Sequence, residues 1–252
     1  MQTVDKAMRL LGYFSAAVPE FGLSELARIA GLDKAGARRL LVALANHAFI
    51  EQDERTRRYR LGSAFLGYAR IREATRPLAA VVRGKLDELV QATGETAHAS
   101  LLSGGHMATI GVAEPRRPTR VSVDTAQALP LHATASGLAC LAFAPEAFLR
   151  ELLARGPLPR HAARTCTSKR QLRATLAEIH ERGYSFADRT FDDEVIGIAA
   201  PVFDTEGRAF AAIAVASIAA RFERASERRI ARCVLDAAAT ISAAGGGAPR
   251  PA

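Results

Sequence analysis

Apolar residues at Val4, Met8, Leu11 and Phe14 recur at helical spacing, which predicts a first amphipathic helix ending before the segment AVPEFG. Ser24 is a candidate N-cap for a short second helix that turns Leu26, Ala27 and Ala30 inward, and Gly31 ends it. Asp33 then caps a third helix by accepting from the free amide of Ala35 or Gly36. In that helix Ala37, Leu40, Leu41 and Leu44 form an inward stripe, while Lys34, Arg38, Arg39 and Val42 face outward. Beyond it, Ile50 and Gln52, then Tyr59 and Leu61, alternate around a charged turn and predict two short strands. Tyr59, pointing opposite Arg58 and Arg60, reads as a core or hinge residue. A Gly-closed turn between two helices, followed by a basic hairpin, predicts a winged helix-turn-helix over residues 1–62.

The pattern changes after that. Residues 63–94 are mostly strong helix formers broken by Pro77, so two consecutive helices are expected, with 63–78 as a helical linker. Strand and helix patterns then mix. TAHASLLSGGHMATIGVAE predicts a hairpin turning at Ser103–Gly105, and IGIAAPVFDTEGRAFAAIAVAS a second one turning at Asp204–Gly207. Helices are expected after PLHATASGLACLAF begins, over SKRQLRATLAEIHERG, and from about Arg221 to Ala243. Such a mixture around one antiparallel sheet indicates an α+β sensor domain over 79–244, with a disordered tail at 245–252. No internal repeat is visible.

Charge adds a direction to this picture. The 252 residues hold 34 basic and 26 acidic side chains, net +8, with 12 basic and 8 acidic among the first 75. The excess is denser in the helix-turn-helix segment and favours an anionic partner. Cys140, Cys166 and Cys233 lie far apart without a CxxC pair, as expected of reduced thiols in a cytoplasmic protein. The N-terminus lacks the apolar core of a signal peptide, and AFAAIAVASIAA falls short of the ~20 residues of a membrane span.

VDKAMRLLGYF, GLSELARIAGLDKAGARRLLVALANHAFIEQDERTRRYRLG, LPLHATASGLACLAF, ERGYSFAD and IAAPVFDTEGRAFAAIAVA together resemble the IclR family of bacterial transcription regulators, in the right order over nearly the whole chain. The resemblance implies a winged helix-turn-helix, a helical linker and a GAF-like effector domain. It also implies a homodimer or dimer of dimers on double-stranded promoter DNA, controlled by a small organic acid, aromatic acids included. Three departures stand out. The recognition helix opens Lys34-Ala35-Gly36 where the family commonly has Lys-Ser-Thr. Gly137-Leu138-Ala139 replaces Gly-Lys-Ala, and Gly197-Ile198 stands where a Cys often precedes IAAP.

The DNA-contacting set expected is Ser24, Lys34, Ala35, Gly36, Arg38, Arg39, Arg55, Arg57 and Arg58. Arg pairs bidentately with guanine in the major groove, so the helix residues would read sequence. The hairpin arginines, Arg60 among them, would hold phosphate or the minor groove and add salt-dependent affinity. The effector-contacting set is Thr134, Ala135, Ser136 and Gly137, whose amides open a helix, together with Ala187, Asp188, Gly197, Ala214 and Ala216 carried over from the family's pattern. Small apolar residues at those positions suit a roomier pocket for an aromatic or longer-chain acid; they also suit a tightly packed core. Arg120 and His132 are further polar candidates, although Arg120 reads first as a surface strand residue.

No metal or cofactor is expected: His98, His106, His132, His161 and His180 show no ligand spacing. SGGH at 103–106 is a turn without the Lys-Ser/Thr of a phosphate loop, and Asp192-Asp193-Glu194 has no partnered base, so no enzyme is expected. The rival class is a protein-interaction or ligand-sensing module that has lost DNA binding, because Ala35 and Gly36 remove contacts.

Overall fold

The computed structural model describes residues 3–15, 18–75 and 78–247. It divides into two compact units between Pro77 and Leu78.

The first unit contains α1 (Thr3–Leu11), β1 (Glu20–Phe21), α2 (Leu23–Ala30), α3 (Lys34–Asn46), β2 (Ile50–Gln52), β3 (Tyr59–Leu61) and α4 (Ala64–Thr75). Its core joins Leu10, Leu11, Leu26, Leu41, Ile50 and Tyr59, all buried. The stripe expected on α1 is corrected in part: Leu11 is buried and Phe14 packs against the core as expected, but Val4 and Met8 stay 68% and 60% exposed and Leu10 goes inside. A leucine pair can turn into the core at one end of a short helix without the whole apolar row following it. The cap of α2 is also corrected. Gly22, not Ser24, is the N-cap, and its N–H donates to Glu25 Oε2 at 2.7 Å. The three strands form an antiparallel sheet in the order β1-β3-β2, so a short strand before α2 completes the wing. On α4, Leu66, Tyr68 and Ile71 are exposed, with Tyr68 stacked on Phe49.

The second unit contains α5 (Leu78–Thr93), β4 (Thr96–Ser103), β5 (His106–Ala113), β6 (Leu129–Pro130), α6 (Ala135–Leu141), α7 (Glu146–Ala154), α8 (Lys169–Arg182), β7 (Ser185–Asp188), β8 (Val195–Phe203), β9 (Ala209–Ile218) and α9 (Glu227–Ala244). Its strands form one antiparallel sheet ordered β6-β5-β4-β9-β8-β7. Both hairpins turn where the pattern predicts, at Gly104–Gly105 and over Asp204–Gly207. The final helix begins later than Arg221, because two 3-10 turns, Ala219–Arg221 and Arg224–Ser226, precede it. Gly245–Gly247 close onto its last carbonyls, and residues 248–252 of the expected tail lie outside the described residues.

Both faces of this sheet are covered. Val82, Leu86 and Leu89 of α5 and Ile230, Val234 and Ile241 of α9 pack on Ala97, Ala99, Ile198, Ile213 and Val215. On the opposite face α6, α7 and α8 bury Leu138, Leu149, Leu172 and Ile179 against Met107, Ala199, Ala212 and Ala214. The period of two sorts each strand between two cores rather than between core and water.

Candidate functional site

In the first unit, Asp33 Oδ1 accepts from the Gly36 N–H at 2.7 Å, which fixes where α3 begins. That bond, with the Arg39 charge nearby as a smaller effect, holds the Asp33 carboxyl below its ordinary range. Gly31, in the left-handed conformation, ends α2 just before it. The tight turn leaves Lys34, Ala35, Arg38 and Arg39 exposed on one side of α3, while Ala37 and Leu41 are fully buried on the other. Ser24 is exposed in the first turn of α2, and Gly36 is half-buried under the cap.

The wing tip is built by Asp53, whose Oδ1 accepts from Arg55 N, Thr56 N and Thr56 Oγ1. Arg57 follows with φ 58°, and its carbonyl accepts from Gln52 Nε2. Arg55 and Arg57 project exposed from this tip. Arg58 does not: its Nη2 donates to Glu25 Oε2 and to the Glu20 carbonyl, both at 3.0 Å, tying the wing to the start of α2. Arg60 is paired with Glu51.

The second unit holds a cavity of about 190 Å³ between the sheet and α6. Strand register explains its shape. Ala187 pairs with Gly197, Gly197 with Ala216, and Ala216 with Thr96, so small groups stand in one row across four strands. The next row runs Ala199, Ala214, His98. Thr134, Ala135, Ala187, Gly197 and Ala216 of the expected set line the cavity; Ser136, Gly137, Asp188 and Ala214 do not. Thr134 is the N-cap of α6: its Oγ1 accepts from Gly137 N at 3.2 Å and donates to the Pro130 carbonyl at 2.9 Å. One of the amides expected to face a ligand is therefore taken. Gly137 also has a packing duty, since a Cβ there would lie 2.5 Å from the Leu131 backbone. Asp188 is held by ion pairs to Arg164 and Arg189. Arg120 is paired with Glu114, and His132 Nε2 bonds the Pro159 carbonyl at 2.8 Å.

Other lining residues were not read from the sequence. The irregular segment after β5 contributes Val121, Ser122, Val123, Asp124 and Gln127, and the loop after β7 contributes Thr190, Phe191 and Asp192. Thr96 Oγ1, donating to the Val121 carbonyl at 2.6 Å, holds the first of these against the sheet. His98 also lines the cavity and is buried. It was legible only as every second residue of TAHAS, an alternation that reads as a wet face until helices are known to cover both sides.

A family model described as the IclR helix-turn-helix domain matches residues 3–54, and one described as the bacterial transcriptional regulator IclR C-terminal matches residues 74–243. The chain belongs to the IclR family. It is 30% identical over 249 residues to the HTH-type transcriptional regulator BhcR of Paracoccus denitrificans, covering 96% of this chain and 86% of that one. A crystal structure of a putative IclR regulator from Silicibacter sp. TM1040 superimposes with a TM-score of 0.94 at 37% identity, over 100% of both chains. An IclR homolog from Microbacterium hydrocarbonoxydans, complexed with 4-hydroxybenzoate, shares the fold with a TM-score of 0.74 at 23% identity, over 97% of this chain and 99% of that one. The first unit is thus the helix-turn-helix DNA-binding domain of an IclR-family transcription regulator. Among the described residues no helix is long and apolar enough to cross a membrane, and no cluster of metal-ligating side chains is found.

Proposed function

We propose that this IclR-family regulator binds a promoter palindrome as a homodimer or dimer of dimers, and that a small organic acid with a ring-sized body controls that binding from the cavity of the second unit. The observation that carries the effector half is the row Ala187–Gly197–Ala216, small groups that leave room where larger ones would fill it. A cavity of about 150 Å³ admits benzene. One of about 190 Å³ suits a single substituted ring better than a two- or three-carbon acid. The Microbacterium relative, complexed with 4-hydroxybenzoate, is in keeping with this. The exposed Val4, Met8, Leu66 and Tyr68 are in keeping with a protein partner on the first unit.

Sequence reading falls to Lys34, Arg38 and Arg39, and affinity to Arg55 and Arg57. Arg38→Ala is expected to lose about tenfold or more on the operator and little on scrambled DNA, by loss of a base contact. Arg57→Ala is expected to weaken both alike. Mobility shifts on the two DNAs measure this; equal losses for both variants refute the division, and no shift by the parent protein favours the interaction-module class. Calorimetric titration with glyoxylate, pyruvate and aromatic acids tests the effector. Tight binding of the smallest acids alone refutes the ring-sized ligand.

A further inference from the structure

We propose that His98 is the polar anchor of the cavity, its Nδ1–H donating to an acceptor oxygen on the bound molecule while Ser136 sets the tautomer. The inference rests on the cavity being the effector site.

His98 lines the cavity and is only 9% exposed. Its Nδ1 is the single buried side-chain polar atom without a partner among the described residues. A buried donor or acceptor left unpaired costs free energy, so few persist without a use. Its other nitrogen, Nε2, lies 3.3 Å from Ser136 Oγ. Ser136 is 1% exposed, and among the described residues its hydroxyl has no other partner. A hydroxyl hydrogen needs an acceptor, and a neutral imidazole offers one nitrogen as acceptor and the other as donor. The pairing that leaves Ser136 satisfied is Ser136 O–H to Nε2, which places the ring's proton on Nδ1. Burial keeps the ring neutral, with its pKa pushed down to about 4.

The other polar groups of the wall are already committed or outside. Thr134 and Thr190 donate to the carbonyls of Pro130 and Ala133. Ser122, Asp124, Gln127 and Asp192 are exposed, and among the described residues neither Lys nor Arg lines the cavity. Among the lining residues the unspent side-chain donor is His98 Nδ1, which is itself closed to solvent, so a bound molecule meets it by a small turn of the ring. A carboxylate or an uncharged carbonyl can accept from it, and the ring that carries this oxygen rests on Ala187, Gly197 and Ala216. Ser136 is then a positioning residue, one shell behind the ligand.

Three probes separate the possibilities: benzoate, benzamide and toluene, titrated into the full chain and followed by calorimetry or ligand-observed NMR. His98→Leu is expected to weaken benzoate and benzamide by about tenfold or more and to leave toluene nearly unchanged, because only the first two lose a hydrogen bond. Ser136→Ala, a milder change, is expected to weaken the same two severalfold. The side-chain nitrogen resonances of His98 in the unliganded protein should report Nδ1–H with an accepting Nε2. An Nε2–H tautomer overturns the anchor, as do benzoate and benzamide affinities unmoved by both variants. If the parent protein binds none of the three, the effector-site reading falls and the anchor falls with it.

Discussion

A Cβ on Gly197 would stand 2.8 Å from the Ala135 Cβ, so a side chain there must push α6 away or fill the space beneath it. The residue was recognisable in the sequence as a departure from the family pattern, but what its smallness does depends on the register that sets it between Ala187 and Ala216. His98 was harder to see for a similar reason. One histidine among several has no sequence signature, and its meaning lies in Ser136, which is 38 residues away. Cys140 was legible as an isolated thiol, and the structure adds that it is fully buried, with burial pushing its pKa up to about 12. Iodoacetamide at about pH 8 is expected to leave Cys140 unlabelled in the native protein and to label it after unfolding, as read by mass spectrometry. Labelling of Cys140 at the native rate of an exposed thiol would show that the α6 region opens.

Most helices with a stripe or a cap were legible as elements, α7 excepted, and so were the wing strands β2 and β3; helix ends and the strands β1, β6 and β7 were not. Asp33 announced the start of α3, yet Ser24 misled as a cap because Glu25 serves Gly22 from within the helix, a reciprocal contact that composition alone does not reveal. β1 and β6, with two residues each, are too short to show any alternation and exist because a neighbouring strand offers its edge. The wing gives the sharpest contrast between look-alike residues. Arg57 projects from a turn fixed by Asp53, whereas Arg58 spends its guanidinium on Glu25 and Glu20. Arg57→Ala should reduce the slope of log affinity against log salt by about one counterion. Arg58→Ala should leave that slope unchanged while loosening the wing. Filter-binding across a salt series checks both, and a slope that drops for Arg58→Ala would place its side chain on phosphate.

For the whole molecule, the order of patterns along the chain was enough to read the fold class, because each hairpin and its turn are local. What it could not supply was the layering, which decides whether a strand's second face meets water or a helix. That layering has a thermodynamic consequence. An unfolded histidine titrates near 6.5 and the folded His98 at about 4. Between those values the unfolded chain holds a proton that the folded chain lacks, so stability is lost as pH falls through this window and is unaffected above it. The loss from His98 is about 2 kcal/mol by pH 5. Urea midpoints at pH 7 and 5 should show a smaller acid loss for His98→Leu than for the parent; an identical loss would mean that His98 titrates normally. The same layering turns the sheet of the second unit into a bulkhead. The cavity lies on one side, and α5, the helix that opens this unit, lies on the other with α9. In β9 the two compartments are one strand's thickness apart, from Ala216 at the cavity to Ile213 and Val215 in the other core. On the proposed reading of the cavity, a residue of the far core can alter the response without touching the ligand.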